Sequence, residues 1–217
     1  MVLLVTNQHI RFATVLNQTP KFSIMKKLAL VLTVFTASIF GVNAQIQFGV
    51  KAGVNLANVT NATDSKTLVS FNGGALVKIP LTEALSLQPE VLYSAQGAKF
   101  DGGKINFNYI NVPVLVTYTL PVGVFFQTGP QVGILMSAKE KEDGGESTDV
   151  KDFTKSTDFS WAIGAGYLIP DVNLGFNLRY NLGLTKIGKD VNGVNAFDGK
   201  NTVIQAGVFY MFGSSKK

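Results

Sequence analysis

The chain has no cysteine in its 217 residues, so a disulfide framework, a thiol nucleophile and a thiolate metal site all lack their atoms. Histidine is nearly absent too, with His9 the only one. If the segment carrying it is removed, no imidazole remains for general-base chemistry or for the usual transition-metal ligand sets. Charge of one sign is also scarce in the body. The formal net charge is +5, yet Arg11, Lys21, Lys26 and Lys27 all precede residue 45, where no Asp or Glu occurs. Taking those four from 19 basic residues leaves 15 against 14 acidic ones, a net +1. A body so balanced offers no concentrated positive field for a polyanion, and nucleic acid is not an expected partner.

A long hydrophobic run is missing as well. The apolar stretch from Leu28 to Val42 is shorter than the ~20 residues a spanning helix requires. Lys26 and Lys27 precede it, and Val42-Asn43-Ala44 leads from it to Gln45. Charged, apolar and small-residue segments in that order read as a secretory signal peptide, with cleavage expected after Ala44. The signal is complete from Met25, so residues 25–44 are assigned to it and residues 1–24 to an upstream or non-native extension. Residues 45–217, within a chain that is 46% hydrophobic, suffice for one domain.

What the body does contain is alternation. No stretch after Gln45 sustains a 3.6-residue apolar period, whereas period two recurs throughout. From Val172 to Thr185, one face carries Val172, Leu174, Phe176, Leu178, Tyr180, Leu182 and Leu184. The other carries Asn173, Gly175, Asn177, Arg179, Asn181, Gly183 and Thr185. Phe159, Trp161, Ile163, Ala165, Tyr167 and Ile169 likewise oppose Ser160, Ala162, Gly164, Gly166 and Leu168. The last strand sets Ile204, Ala206, Val208, Tyr210 and Phe212 against Gln205, Gly207, Phe209 and Met211.

Eight strands are predicted, at 46–56, 68–79, 85–96, 104–119, 124–137, 157–169, 172–187 and 201–212. The connections at 80–84, 120–123 and 170–171 are short and carry Pro, Gly or Asp. Those at 57–67, 97–103, 138–156 and 188–200 are longer and polar. Short turns on one rim and long loops on the other is the build of an outer-membrane barrel. A soluble β-sandwich also alternates, but three features favour lipid. The apolar face recurs on every strand, aromatic residues such as Tyr93, Tyr109, Tyr118, Trp161, Tyr167 and Tyr210 sit where headgroup girdles are expected, and only a closed barrel leaves no unpaired edge in hydrocarbon. The expected fold class is therefore all-β, an eight-stranded antiparallel up-and-down transmembrane barrel behind a cleavable signal peptide.

On the expected lumen side lie Lys51, Lys78, Glu90 and Arg179, with Asn111 and Gln131. Such a cluster can plug or gate a narrow pore, or simply pack an interior in which charges must pair. An eight-stranded barrel is just wide enough for side chains to fill, so packing is favoured, with Glu90 bridging Arg179 or Lys51. Residues 139–158 are dense in both charges, and Glu142, Asp143, Glu146, Asp149 and Asp152 invite a cation. They lack the spaced ligand order of a calcium loop, and a solvated, mobile loop is the plainer reading. Gly49, Gly53, Gly164, Gly166, Gly175 and Gly183 read as lumen positions with no room for a side chain. Pro89 and Pro113 fall inside strands and predict bulges or local defects.

Three segments resemble a known family: FGVKAGVNLANV at 48–59, SLQPEVLYSAQGAK at 86–99 and YINVPVLVTY at 109–118. They are similar to the PorT-type outer-membrane β-barrel family, in which the first segment opens the barrel and the second is its third strand. The third typically reads Tyr-Leu-Glu-Ile-Pro there, and this chain departs from it with Asn111 in the place of Glu. The resemblance implies an eight-stranded outer-membrane barrel of a Gram-negative-type envelope. The family's namesake is tied to protein secretion, a role that the strand and turn patterns themselves do not carry.

Three functions follow, in order of preference. The first is a non-enzymatic scaffold that serves structure, adhesion or partner binding through surface loops. The second is a narrow, porin-like path for small solutes. The third, an enzyme, needs a nucleophile paired with a base, and no such pair stands out. No cofactor, metal or catalytic residue is expected. Expected partners are outer-membrane lipid, other envelope proteins at the loops, and the secretion and barrel-assembly machinery during biogenesis.

Overall fold

The computed structural model describes residues 46–61, 65–191, 194–195 and 198–212. Residues 1–44, expected to hold an upstream extension and a signal peptide, lie outside the described residues. Eight strands form the wall: β1 Gln47–Thr60, β2 Lys66–Pro80, β3 Leu85–Phe100, β4 Gly103–Thr119, β5 Val124–Glu142, β7 Thr157–Ile169, β8 Leu174–Gly183 and β11 Lys200–Phe212. Each pairs antiparallel with its neighbours, and β1 pairs with β11 from Phe48↔Phe212 to Thr60↔Lys200, which closes the cylinder. Closure satisfies every edge, the condition for β-structure in hydrocarbon. The short β6 Ser147–Asp149 folds back on β5, and β9 Asp190–Val191 pairs with β10 Val194–Asn195 outside the wall.

Alternation sorts the side chains as a small barrel requires. Phe48, Val69, Phe71, Phe126, Ile163, Leu178 and Val208 are exposed on the outer wall, while Asn55, Glu90, Asn111, Gln127, Arg179 and Gln205 are buried inside. A polar interior beneath an apolar exterior inverts the order of a soluble domain and suits lipid. Tyr118, Tyr167 and Tyr210 face outward beside the turn rim, where aromatic girdles meet headgroups. Tyr109 does not join them. It is fully buried in the lumen, because β4 turns Phe107, Tyr109, Asn111, Pro113 and Leu115 inward.

The loop rim is tighter than expected. β3 runs on to Phe100 and β4 begins at Gly103, so a two-residue turn replaces the expected loop at 97–103. Gly102 makes that turn at φ +91°, a conformation that favours glycine. β5 extends to Glu142 and pairs with β6 through Lys139↔Asp149 to Lys141↔Ser147, so much of the charged segment 139–158 is a hairpin projecting from the wall. A 3-10 turn at Lys151–Phe153 follows. β8 is shorter than the expected 172–187. Asn173 ends the preceding turn at φ +55°, and beyond Gly183 the chain turns aside as the Leu184 N–H donates to the Phe159 carbonyl.

Neither Pro89 nor Pro113 produces a bulge. The β3–β4 ladder passes from Pro89↔Val114 to Leu92↔Asn111 in unchanged register, with two rungs missing between. A proline withholds one donor and so removes a rung, which need not add a residue. The register shifts fall elsewhere, on β2 between Thr67 and Asn72 and between β4 and β5 at Asn108/Tyr109.

Candidate functional site

The lumen is filled in layers, each set by the inward positions of successive strands. Nearest the turn rim is an aromatic floor. Phe125 of β5 and Phe209 of β11 meet edge to face with ring centroids 5.8 Å apart, beside buried Met211 and Leu76. Their rings have room because Gly166 and Gly175 lie beneath them. A Cβ on Gly175 would fall 2.1 Å from Phe209 Cζ, and one on Gly166 would fall 2.3 Å from Phe125 Cζ.

Above the floor sits the charged layer. Arg179 of β8 donates from Nη1 to Glu90 Oε2 at 2.8 Å and from Nη2 to Glu90 Oε1 at 2.7 Å, spanning the barrel in a bidentate pair. Arg179 Nη2 also donates to Gln127 Oε1 at 3.2 Å, and Gln88 Nε2 donates to Glu90 Oε1 at 2.8 Å. Lys51 approaches Glu90 Oε2 from β1 at 3.9 Å. All three charged side chains are buried, two cations around one anion. The fork geometry of a guanidinium on a carboxylate makes this the strongest polar contact in the lumen.

Lys78 takes no part in this cluster. Leu76 is the residue that pairs with Glu90 across β2 and β3, so Lys78 lies one inward position nearer the turn rim, half-buried and without an ion pair among the described residues. Asn111 and Gln131 line the wall farther up. Gln131 Nε2 donates to Ser160 Oγ at 2.9 Å, while Asn111 Nδ2 has no partner among the described residues.

A neutral polar layer follows. Asn55 is its hub: Nδ2 donates to the Ala95 carbonyl at 2.7 Å and to Ser94 Oγ at 3.0 Å. Its Oδ1 accepts from Asn72 at 2.6 Å and Gln205 at 3.1 Å. Toward the loop rim, Asp158 Oδ2 accepts from Asn201 Nδ2 at 2.9 Å and its Oδ1 from Thr185 Oγ1 at 2.8 Å. Asn201 Nδ2 also donates to Tyr109 Oη at 3.3 Å. Thr185 Oγ1 in turn accepts from the Phe159 N–H at 2.9 Å. This hydroxyl–carboxylate pair therefore anchors the start of β7 to the segment leaving β8.

The mouth is closed by apolar side chains. Val59, Ala98, Phe107, Tyr109, Leu135, Ala138 and Ile187 form one buried cluster. Ile187 comes from outside the wall, on the segment after β8, which crosses the opening. Backbone hydrogen bonds pin it: the Lys155 N–H donates to the Ile187 carbonyl and the Ile187 N–H to that of Gly199.

Sequence reasoning missed the floor, the Asn55 hub and the apolar lid. Phe209 stands on the small, polar side of β11, and that exception to the alternation was the available signal for the floor. Ile187 gave none, because its burial depends on the path of a loop.

The comparisons with known proteins agree with this geometry. Residues 38–188 match the family model described as outer membrane protein beta-barrel domain. The fold is similar to that of Neisserial surface protein A, at TM-score 0.50 and 18% identity over 76% of this chain and 97% of that one. Ail, the attachment invasion locus protein of Yersinia pestis, aligns at TM-score 0.45 and 16% identity over 76% of this chain and 98% of that one. No curated protein matches the sequence. Closed by eight strands, apolar outside and matched over more than half its length, the chain belongs to the outer membrane protein beta-barrel domain family and is an outer-membrane protein.

Proposed function

We propose that this protein is a non-enzymatic scaffold of the outer membrane that presents its loop rim to partners while its barrel stays sealed. The observation that carries the reading is the filled lumen. The Arg179–Glu90 pair bridges the interior, Phe125 and Phe209 meet edge to face below it, and Phe107, Tyr109 and Ile187 pack at the mouth above. Three filled layers among the described residues argue against a continuous wet path, and function then falls to the surface. The extended β3–β4 and β5–β6 hairpins lift the rim away from the lipid on rigid strands, a platform suited to recognition. Other envelope proteins are the partners proposed for it. The PorT-type likeness of segments 48–59, 86–99 and 109–118 supports placing the chain in that branch of barrels. It adds no residue that would carry a secretion role.

A second reading, a narrow pore, draws on one observation. Asn177, Asn181, Gln205 and Arg179 Nε present buried polar atoms without protein partners among the described residues, and such atoms call for water. Solute-driven swelling of proteoliposomes separates the two. The scaffold reading expects swelling no faster than that of protein-free liposomes for small sugars and amino acids; swelling that tracks solute size would install the pore in its place.

A further inference from the structure

The body's net charge of +1 conceals a local arrangement that only strand register brings together. Lys66 of β2 pairs with Lys99 of β3, Lys99 with Lys104 of β4, and Lys104 with Lys141 of β5. Four lysines thus stand in one row across four adjacent strands, at the loop rim. Directly paired residues of neighbouring strands point to the same side, with Cβ atoms about 5 Å apart. All four are exposed. They border a groove of about 490 Å³ shared with Phe100, Glu142 and Asp143.

Like charges set directly opposite one another destabilise a sheet, and here three consecutive rungs do so. Acidic partners relieve little of it. Lys66 pairs with Asp101 in the adjoining turn, but Lys99, Lys104 and Lys141 have no ion pair among the described residues. Lys139, two positions below Lys141, faces Asp149 across the β5–β6 hairpin and stands outside the row. On β4, the last outward apolar residue before Lys104 is Ile110, separated from it by Asn108 and Asn106. At about 3.4 Å per residue, Lys104 stands roughly 20 Å along β4 beyond Ile110, and Lys66 roughly 10 Å along β2 beyond the exposed Val69. The row therefore rises from the edge of the apolar band at Lys66 to well beyond it at Lys104, among whatever is anchored to, or approaches, the outer surface.

We propose that this lysine row binds an anionic glycan, a chain whose acidic groups repeat at a spacing near the 5 Å of neighbouring strands. A row across strands suits an extended chain better than a single small anion, because no more than two of the lysines are adjacent to any one point. The groove beside them supplies the apolar flank of Phe100 for a sugar face. The inference rests on the scaffold reading and names the partner chemistry of its rim. Outer-leaflet glycolipid and free polysaccharide both present this chemistry.

The test uses the refolded full barrel in detergent, with dextran sulfate and lipopolysaccharide micelles as two arms and uncharged dextran as the blank. The triple variant K99Q/K104Q/K141Q is compared with K186Q/K200Q, which removes two lysines elsewhere on the rim, and unboiled gel migration checks that both are folded. The triple variant is expected to weaken binding in at least one arm by about a hundredfold, since each lysine near an anionic surface contributes roughly a factor of five. The control should stay within about twofold, and binding should fall as salt rises, because exposed charges are screened. Loss in the micelle arm alone points to glycolipid and loss in the dextran sulfate arm to free polysaccharide; either supports the site. Equal binding by wild type and triple variant, or no binding by folded wild type in either arm, overturns it. Inorganic phosphate competing as well as dextran sulfate at equal charge also overturns it. Failure of the scaffold reading shows separately, as solute flux through the wild-type barrel.

Discussion

Arg179 and Glu90 stand 89 positions apart in the sequence and meet at 2.7 and 2.8 Å in the centre of the lumen. The pair ties β8 to β3 across the barrel, with Lys51 3.9 Å from the same carboxylate. Removing one partner of a buried ion pair strands the other charge, which costs far more than the pair itself contributes.

Glu90→Ala therefore leaves both Arg179 and Lys51 uncompensated. Urea unfolding in lipid vesicles is expected to show a loss of about 3–5 kcal/mol. The triple replacement Lys51→Met, Glu90→Leu, Arg179→Met removes all three charges together and should recover most of that loss. A triple variant as unstable as Glu90→Ala would show that the layer is held by something other than charge pairing.

The floor makes its own prediction. Gly175→Ala places a methyl 2.1 Å from the Phe209 ring, so the ring must leave its seat against Phe125. Overpacking of this kind costs about 1–3 kcal/mol. Combining Gly175→Ala with Phe209→Leu should relieve part of it, and a double-mutant cycle on the urea midpoints reads the relief. Strict additivity of the two changes would refute the contact.

Leu178, 59% exposed on the outer wall in the middle of β8, reports on the solvent there. Leu178→Arg is expected to cost about 2–4 kcal/mol in a bilayer, the depth-dependent penalty of a charge facing lipid. On a water-facing surface the same change would be close to neutral, and that result would contradict the membrane orientation of this face.

The lid depends on Asp158, whose carboxylate accepts hydrogen bonds from Thr185 and Asn201. Asp158→Ala frees the segment after β8, so trypsin should cut at Lys186 or Lys189 sooner than in the wild type. Heat-modifiable migration should persist, because the wall is closed by its backbone ladders. An unchanged digestion rate would mean that the backbone bonds of Ile187 suffice.

Much of the wall was legible from the sequence because alternation carries the face of each strand. On β8, large apolar residues and small polar ones separate cleanly, and the inward position of Arg179 follows from its neighbours. β4 is less readable. Phe107 and Leu115 point in while Val114 and Val116 point out, so both faces are apolar and parity alone does not say where Tyr109 goes. Strand ends were underestimated for a related reason. Polar residues beyond Gln96 and Ser137 look like loop, yet above the lipid a strand needs no apolar face, and the hairpins continue on backbone pairing. The lysine row lay beyond any linear reading, since it depends on the register of four strands whose lysines lie up to 75 positions apart.

The central claim is a barrel whose lumen is filled, and single-channel recording in planar bilayers tests it most directly. The wild-type protein should insert without opening steps of nanosiemens size, whereas Phe125→Ala with Phe209→Ala and Arg179→Ala, combined with Phe107→Ala and Ile187→Ala at the mouth, should admit small, measurable currents. Large, steady conductance from the unmodified protein would contradict the account.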